Sequence, residues 1–150
     1  MNKNLPLSNI VVLDLTNVLS GPFATQILSD LGAEIIKVEK PNGDDSRKFG
    51  PFIKKRSSYF ISLNRGKKSI IIDFKNEEDK KIFKKLLKIS DVIIDNFKPG
   101  TLEKYGFSSS YLKKNFPLLI QTKISGFGET GPLKENPAYD MIVQAMGGIM

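Results

Sequence analysis

Four polar side chains follow four predicted strands of this sequence, each just beyond the point where a strand ends. They are Ser20, Lys40, Lys75 and Asn96. Their hydroxyl, ammonium and amide groups suit phosphate oxygens and the polar edge of a purine. Because ligands of parallel α/β sheets bind outside the carboxyl ends of the strands, we expect one basic rim for a phosphorylated, purine-bearing ligand.

Each of these positions also has a purely structural interpretation. Ser20–Pro22 could form a tight turn with the proline at the first helical position, and Lys40 could be an ordinary exposed lysine. Phe97 could stack on a purine beside Asn96, or it could belong to the core. The residue types alone leave both interpretations open.

The elements that must position these side chains alternate between strand and helix. The apolar, β-branched segment Ile10–Leu15 predicts a strand buried on both faces, and apolar residues at helical spacing predict a helix from Phe23 to Leu31. A second strand over Ala33–Glu39 completes a βαβ unit. Similar patterns predict the later elements, which are strands over Ser69–Phe74, Asp91–Asp95 and Leu118–Ile124, and helices that begin near Asn76, Thr101, Ser108 or Ser109, and Ala138. This alternation predicts the α/β class with a largely parallel sheet.

The composition of the 150 residues excludes several kinds of site. The chain has no histidine and no cysteine, so it can form neither a Ser-His-Asp triad nor a zinc site that contains histidine. Without cysteine, and without an apolar run typical of a signal peptide or a membrane span, the expected location is the cytoplasm. The net charge of +7, from 23 basic and 16 acidic side chains, indicates either lysine-rich solvated faces or a polyanionic partner.

Two motifs have a nucleotide or nucleic-acid interpretation that their surroundings weaken. The segment Gly126–Gly131 spells G-x-G-x-x-G after a strand, but Pro132 and Pro137 follow where a dinucleotide fingerprint needs a helix to begin. The alternative is a loop whose glycines allow positive φ. The lysines between Lys80 and Lys88 could contact nucleic acid. Without interleaved aromatic residues, however, they are typical of the solvated face of an amphipathic helix.

Six groups of residues, in the same order along the chain, closely resemble the family III CoA-transferases, the CaiB/BaiF family. They are Val12–Thr16 with Ser20–Ala24, Asp30–Glu39 with Pro41, Asn64–Ser69, Asp91–Val92 with Asn96–Gly100, Ile124–Gly128 with Thr130–Pro132, and Tyr139–Asp140 with Gln144–Ala145 and Gly147–Gly148. The resemblance implies that residues 1–150 are the amino-terminal, CoA-binding, Rossmann-like domain of a larger subunit that pairs as an interlocked homodimer. We expect the chain to be cut within a helix near residue 150.

The resemblance also implies which residues contact coenzyme A. By position they are Leu19, Ser20, Lys40, Ile72, Asp73, Phe74, Lys75, Asn96, Phe97, Lys98, Lys104, Pro137, Ala138, Tyr139 and Asp140. The four lysines of this set fit the phosphate charges of CoA, although relatives often carry arginine at the positions of Lys40 and Lys104. The implied substrates are an acyl-CoA and a carboxylic acid, and no metal, nucleic acid or membrane is expected.

The implied reaction transfers CoA through an aspartyl intermediate. In the family, an aspartate shortly downstream of the Gly147–Gly148 pair attacks the acyl-CoA thioester and forms a mixed anhydride. The released CoA thiolate then makes an enzyme thioester, and the acceptor carboxylate completes the exchange. That aspartate is expected beyond Met150, so no catalytic residue is expected within this chain, and Asp140 is expected to have a cap or binding role.

Two alternatives to a transferase stay open. The related α-methylacyl-CoA racemases have a histidine where Tyr139 stands, and a tyrosine of high pKa is a poor proton shuttle at neutral pH, which favours the transferase. The non-enzymatic alternative is a basic nucleic-acid-binding module.

Overall fold

A parallel five-stranded sheet forms the centre of this computed structural model, which describes residues 5–150. In chain order the elements are β1 (Val11–Asp14), α1 (Ser20–Asp30), β2 (Glu34–Glu39), β3 (Phe52–Ile53), β4 (Arg56–Ser57), α2 (Ser58–Asn64), β5 (Lys68–Ile71), α3 (Glu77–Ile89), β6 (Val92–Asp95), α4 (Thr101–Lys104), α5 (Ser109–Asn115), β7 (Ile120–Lys123) and α6 (Asp140–Met146). The order across the sheet is β5-β2-β1-β6-β7, with every neighbouring pair parallel. This is the doubly wound order of Rossmann-like domains, so the predicted α/β class and parallel sheet are confirmed.

The central strand β1 is buried on both faces, as its apolar sequence predicts. Val12 and Leu13 are each 0% exposed, and alternation along a strand directs them to opposite faces. Leu13 belongs to the larger core cluster, which includes Phe83 of α3 and Leu112 of α5. Val12 belongs to a smaller cluster on the side of α1, with Leu28 packed against it. Helices therefore cover both faces of the sheet.

Several element boundaries differ from the prediction by two or three residues. Helix α1 begins at Ser20, so Pro22 is its third residue rather than its first. A proline is still tolerated there because the first turn of a helix has no internal partner for its backbone N–H groups. Strand β5 ends at Ile71, before the predicted end, because the chain then turns and the N–H of Asn76 donates to the carbonyl of Asp73 over 2.8 Å.

Helix α3 confirms the predicted amphipathic pattern. Asn76 is its N-cap and accepts a hydrogen bond from the N–H of Glu78 over 2.9 Å. Phe83 and Leu87 are buried beneath the helix. Within the described residues, no helix is both long and apolar enough to cross a membrane.

The connection between β2 and α2 contains structure that the sequence pattern did not reveal. It forms a 3-10 turn over Asp45–Lys48 and then the antiparallel hairpin β3–β4. Strands of two residues are too short to show a period-two pattern. The hairpin tip places Lys54 at φ 49° and Lys55 at φ 64°, in the left-handed region that a two-residue hairpin turn requires.

We predict that replacing this tip by Lys54→Asn with Lys55→Gly stabilises the fold by about 1–2 kcal/mol, because both new residues tolerate positive φ. Thermal unfolding would show a melting temperature higher by roughly 2–8 °C. The matched control, Lys84→Asn with Lys85→Gly in the middle of α3, should destabilise the chain because glycine and asparagine are poorer helix formers than lysine. A tip variant that melts at or below the wild-type temperature would show that the lysines stabilise the turn themselves.

Candidate functional site

The carboxyl ends of the parallel strands meet at one edge of the sheet. In the register Asp14 of β1 pairs with Lys37 of β2 and with Ile94 of β6, and Glu39 pairs with Ile71 of β5. The strand ends therefore lie side by side. The loops that follow them, together with the first residue of α1, carry the predicted contacts Leu19 and Ser20, Lys40, Ile72–Lys75 and Asn96–Lys98.

The loop between β1 and α1 is held at successive residues by side chains from other elements. The Lys37 ammonium donates to the carbonyl of Thr16 over 2.7 Å. Asn96 accepts from the N–H of Asn17 and donates from Nδ2 to the carbonyl of Asn17, both over 2.9 Å. The N–H of Val18 donates to Asp44 Oδ1 over 3.3 Å. Both polar ends of the Asn96 side chain thus bind the backbone of the loop, a role that its position in the sequence did not indicate.

A buried ion pair links β2 to the segment after it. Lys37 Nζ lies 2.9 Å from Asp44 Oδ2, and the two side chains are 1% and 0% exposed. Asp44 also accepts from the N–H and the hydroxyl of Ser46, over 2.9 and 2.7 Å. Burial acts to raise the pKa of Asp44. The charge of Lys37 and the hydrogen bonds from Ser46 have the larger, opposite effect, so the pKa of Asp44 lies below its ordinary value.

Glu39, at the end of β2, forms a second buried charged group. Its carboxylate accepts from Arg47 Nε over 2.7 Å and Nη2 over 2.6 Å, from the Ser69 hydroxyl over 2.6 Å and from the N–H of Asp44 over 2.9 Å. Burial acts to raise the pKa of Glu39, but these donors outweigh it and lower the pKa to about 2. The next residue, the predicted contact Lys40, is half exposed and donates to Asp45 over 2.7 Å.

The third buried charged group joins the start of β5 to β1. Lys67 Nζ donates to Asp14 Oδ2 over 3.1 Å, to the carbonyl of Pro22 over 2.9 Å and to the Thr25 hydroxyl over 2.7 Å. Burial lowers the pKa of Lys67, and the neighbouring Asp14 carboxylate only partly compensates. A Cβ added to Gly21 would lie 2.2 Å from the Cβ of Thr16, so only glycine fits where the helix starts against this group.

The ends of β5 and β6 combine exposed lysines with aromatic rings. Phe74 lies in the aromatic part of the core and stacks on Tyr105, with ring centroids 5.3 Å apart. Phe97 also packs against this core, as its structural interpretation predicted. Lys75, Lys98 and Lys104 are exposed, and their ammonium groups form no ion pair with another residue in the range 5–150.

The glycine-rich loop does not open a helix, so the dinucleotide interpretation of Gly126–Gly131 is wrong for this chain. Helix α6 begins only at Asp140. A Cβ added to Gly126 would lie 1.8 Å from the Cβ of Ala138, so this glycine lets the loop pack against the segment before α6. That segment and the first residue of α6 carry the predicted contacts Pro137–Asp140, and Tyr139 is 70% exposed.

A small cavity of about 140 Å³ lies between the ends of β6 and β7 and helices α4 and α5. Its lining includes Asp95, Phe97, Lys98 and Lys123. Asp95 is 5% exposed, and burial raises its pKa although the N–H of Phe97 and the charge of Lys123 oppose the shift. Two of the predicted contacts thus border this cavity. Within the described part of the chain, no three metal-binding side chains cluster together.

Sequence patterns alone left four of the buried charged side chains unassigned, namely Lys37, Glu39, Asp44 and Lys67, and also Arg47, the exposed partner of Glu39. One signal was available for the first two. Lys37 and Glu39 interrupt an otherwise apolar strand that must be buried in a parallel sheet, and a charge in such a strand requires a partner.

Comparison with known proteins identifies the family. The model of CoA-transferase family III matches residues 7–150. The acetyl-CoA:oxalate CoA-transferase of Acetobacter aceti is 51% identical over 146 residues, which are 97% of this chain and 38% of that protein. The succinyl-CoA:glutarate CoA-transferase of Mus musculus is 47% identical over 147 residues, 97% of this chain and 34% of that protein.

A solved structure agrees with the sequence comparison. The crystal structure of a CaiB/BaiF family protein from Brucella suis matches with a TM-score of 0.92 and 46% identity, over 99% of this chain and 40% of that one. The chain belongs to CoA-transferase family III, so the resemblance seen in its motifs is confirmed. It spans between about a third and two fifths of the length of these relatives.

We predict that Glu39 makes the fold sensitive to acid. Its folded pKa of about 2 lies below the ordinary value of 4.5, so the carboxylate stabilises the fold above about pH 4.5, and this contribution is lost as the pH falls towards 2. The contribution is on the order of 3 kcal/mol. Urea unfolding between pH 7 and pH 2.5 should show Glu39→Gln to be less stable at pH 7 and less dependent on pH.

The control for this prediction is Glu78→Gln, which removes a carboxylate from an exposed ion pair with Lys81. Because exposed pairs contribute little, this variant should keep the wild-type stability and pH dependence. If Glu39→Gln retains the wild-type slope, the acid sensitivity arises from another group.

Proposed function

We propose that this chain is the CoA-binding amino-terminal part of a CoA-transferase that moves CoA from an acyl-CoA to a carboxylic acid. The observation that carries the proposal is its membership of CoA-transferase family III, together with a sheet edge where the predicted contacts lie in adjacent loops. A ligand that carries several phosphate charges suits this edge because Lys75, Lys98 and Lys104 are exposed and have no carboxylate partner within residues 5–150.

The sequence of the chemistry follows from the family. A carboxylate nucleophile attacks the thioester carbonyl of the donor, forms an acyl anhydride and releases CoA thiolate, which then attacks the enzyme carbonyl and releases the donor acid. The acceptor carboxylate then attacks the enzyme thioester, which forms a second anhydride and releases CoA thiolate. The thiolate attacks the acceptor carbonyl of this anhydride, which gives the new acyl-CoA and regenerates the enzyme carboxylate. No redox change or metal is needed in this scheme. We expect the nucleophilic aspartate outside these residues, and we assign the described ones to binding.

Short dicarboxylic acids are the substrate class that we propose for the acid. The names of the relatives specify oxalate and glutarate, and those of further relatives specify mesaconate and malate. These relatives are between 40% and 51% identical to this chain. We therefore assign the acid substrate of this protein to the short dicarboxylic acids.

We further propose that the protein works in the cytoplasm as a homodimer. Helix α6 leaves Met141, Val143 and Met146 between 50% and 71% exposed, and Ile149 is 78% exposed. Large apolar side chains that are exposed together in this way mark a surface that another polypeptide covers. The rest of the subunit and a second copy are the occupants expected from the family.

The transferase proposal is tested on the full-length protein with succinyl-CoA and a panel of free acids. Mass spectrometry should detect new thioesters of short dicarboxylic acids. Exchange of an α-proton without transfer of CoA would instead identify a racemase, and salt-dependent binding to DNA or RNA with no response to CoA would identify a nucleic-acid-binding module.

We predict that Lys75→Ala and Lys98→Ala each weaken CoA binding about tenfold, because each removes a charge-assisted contact to phosphate. Isothermal titration calorimetry of the full-length protein would measure the change, and the difference should shrink at high salt. The matched control is Lys85→Ala, an exposed lysine on α3 away from the sheet edge. Equal weakening by the control would contradict specific phosphate contacts and indicate a general effect of net charge.

A further inference from the structure

The backbone between β1 and α1 adopts a conformation that its own residues disfavour. Val18 has a φ of 69°, in the left-handed region, which is costly for a β-branched residue. Loop backbone of this kind persists only where surrounding groups determine it. The side chains that do so reach the loop from β2, from the segment after β2 and from the end of β6.

Two of these side chains, Lys37 and Asp44, form one buried unit. Lys37 Nζ contacts both Asp44 Oδ2, at 2.9 Å, and the carbonyl of Thr16, at 2.7 Å. Asp44 Oδ1 accepts from the N–H of Val18. The pair therefore binds the loop on both sides of Asn17, and it connects the loop rigidly to β2.

The backbone conformation that this pair maintains leaves donors free at the start of α1. Leu19 is the N-cap residue and makes no side-chain cap hydrogen bond. Within residues 5–150, the N–H groups of Leu19, Ser20 and Gly21 have no acceptor, whereas the N–H of Phe23 donates to the carbonyl of Leu19 over 2.8 Å. Free N–H groups at a helix start suit a negatively charged ligand.

Stability alone is a weak explanation for this pair. Removing two charges from water is costly, and a buried ion pair is often no more stable than apolar residues of the same volume. Its contacts with Thr16 and Val18 give the charges a second role, which apolar residues could not fill.

We propose that Lys37 and Asp44 are positioning residues, which hold the β1–α1 loop so that the N–H groups of Leu19 and Ser20 face the phosphorylated part of CoA. The proposal rests on the proposed function for the identity of the ligand. The same pair brackets Lys40 in the sequence, and it fixes both ends of the segment that carries this predicted contact. One buried pair thereby sets the relative position of two parts of the ligand site.

The test compares Asp44→Asn and Lys37→Met in the full-length protein with the wild type. Asp44→Asn keeps the shape of the side chain but loses its charge, and Lys37→Met keeps the length but loses the ammonium. Hydrogen-exchange mass spectrometry should show faster exchange over residues 15–24 in both variants. Calorimetry should show CoA binding weakened at least about tenfold, because displacing a binding group by a fraction of its contact distance is costly.

Two control variants separate positioning from general loss of stability. Leu87→Ala removes a buried side chain beneath α3 and should lower the melting temperature without weakening CoA binding. Lys68→Met breaks an exposed pair with Glu34 at the other end of the sheet and should change neither property. A variant at Asp44 or Lys37 that is folded at the assay temperature and binds CoA as the wild type does would overturn the proposal.

The proposed function and this inference can fail separately. If the wild-type protein does not bind CoA, the proposed function falls, and hydrogen exchange still decides whether the pair determines the loop. If the wild type binds CoA and the exchange rates over residues 15–24 do not change in the variants, the positioning role is wrong while the proposed function stands.

Discussion

The need to satisfy backbone polar groups at the buried end of β1 governs this structure. Where a central parallel strand ends, its backbone leaves the ladder of the sheet but does not yet reach a helix or water. Buried groups left without partners cost several kcal/mol. Here side chains take the place of the missing backbone partners. Lys37, Asp44 and Asn96 all bind the loop between β1 and α1.

These side chains bring charge into the interior of a small domain, so each buried charge needs a partner of opposite sign. Lys37 is paired with Asp44, Arg47 with Glu39, and Lys67 with Asp14. In each pair, one residue belongs to β1 or β2 and its partner comes from another segment of the chain. The first two pairs therefore hold the segment after β2 against β2, the third joins the start of β5 to the end of β1, and all three adjoin the residues expected to bind CoA.

On the surface of the domain, many positive charges of residues 5–150 have no paired carboxylate, in contrast to the paired charges of the interior. Most lysines on α3 and at the strand ends are exposed, while Asp14, Glu39 and Asp44 near the carboxyl edge are buried and paired with cations. The net charge of +7 thus reflects free lysines more than a continuous basic groove. A polyphosphorylated ligand can use this distribution at the sheet edge, where backbone N–H groups and ammonium groups lie in neighbouring loops.

The amino-acid sequence by itself determined the class of the fold and the family. The apolar runs around Val12 and Ile35 predicted buried strands, and the apolar spacing of α3 predicted its buried stripe and its start near Asn76, because these are local signals. The motifs around Ser20, Asn96 and Gly147 indicated the family because they occur in the family's order along the chain.

The tertiary structure alone decided the roles of the charged residues. Lys37 meets Asp44 only when β2 and the following turn fold back on β1, and the choice of a buried partner depends on distance and burial, which no local pattern contains. The same holds for Asn96, which proved to bind the loop at Asn17, 79 residues away along the chain.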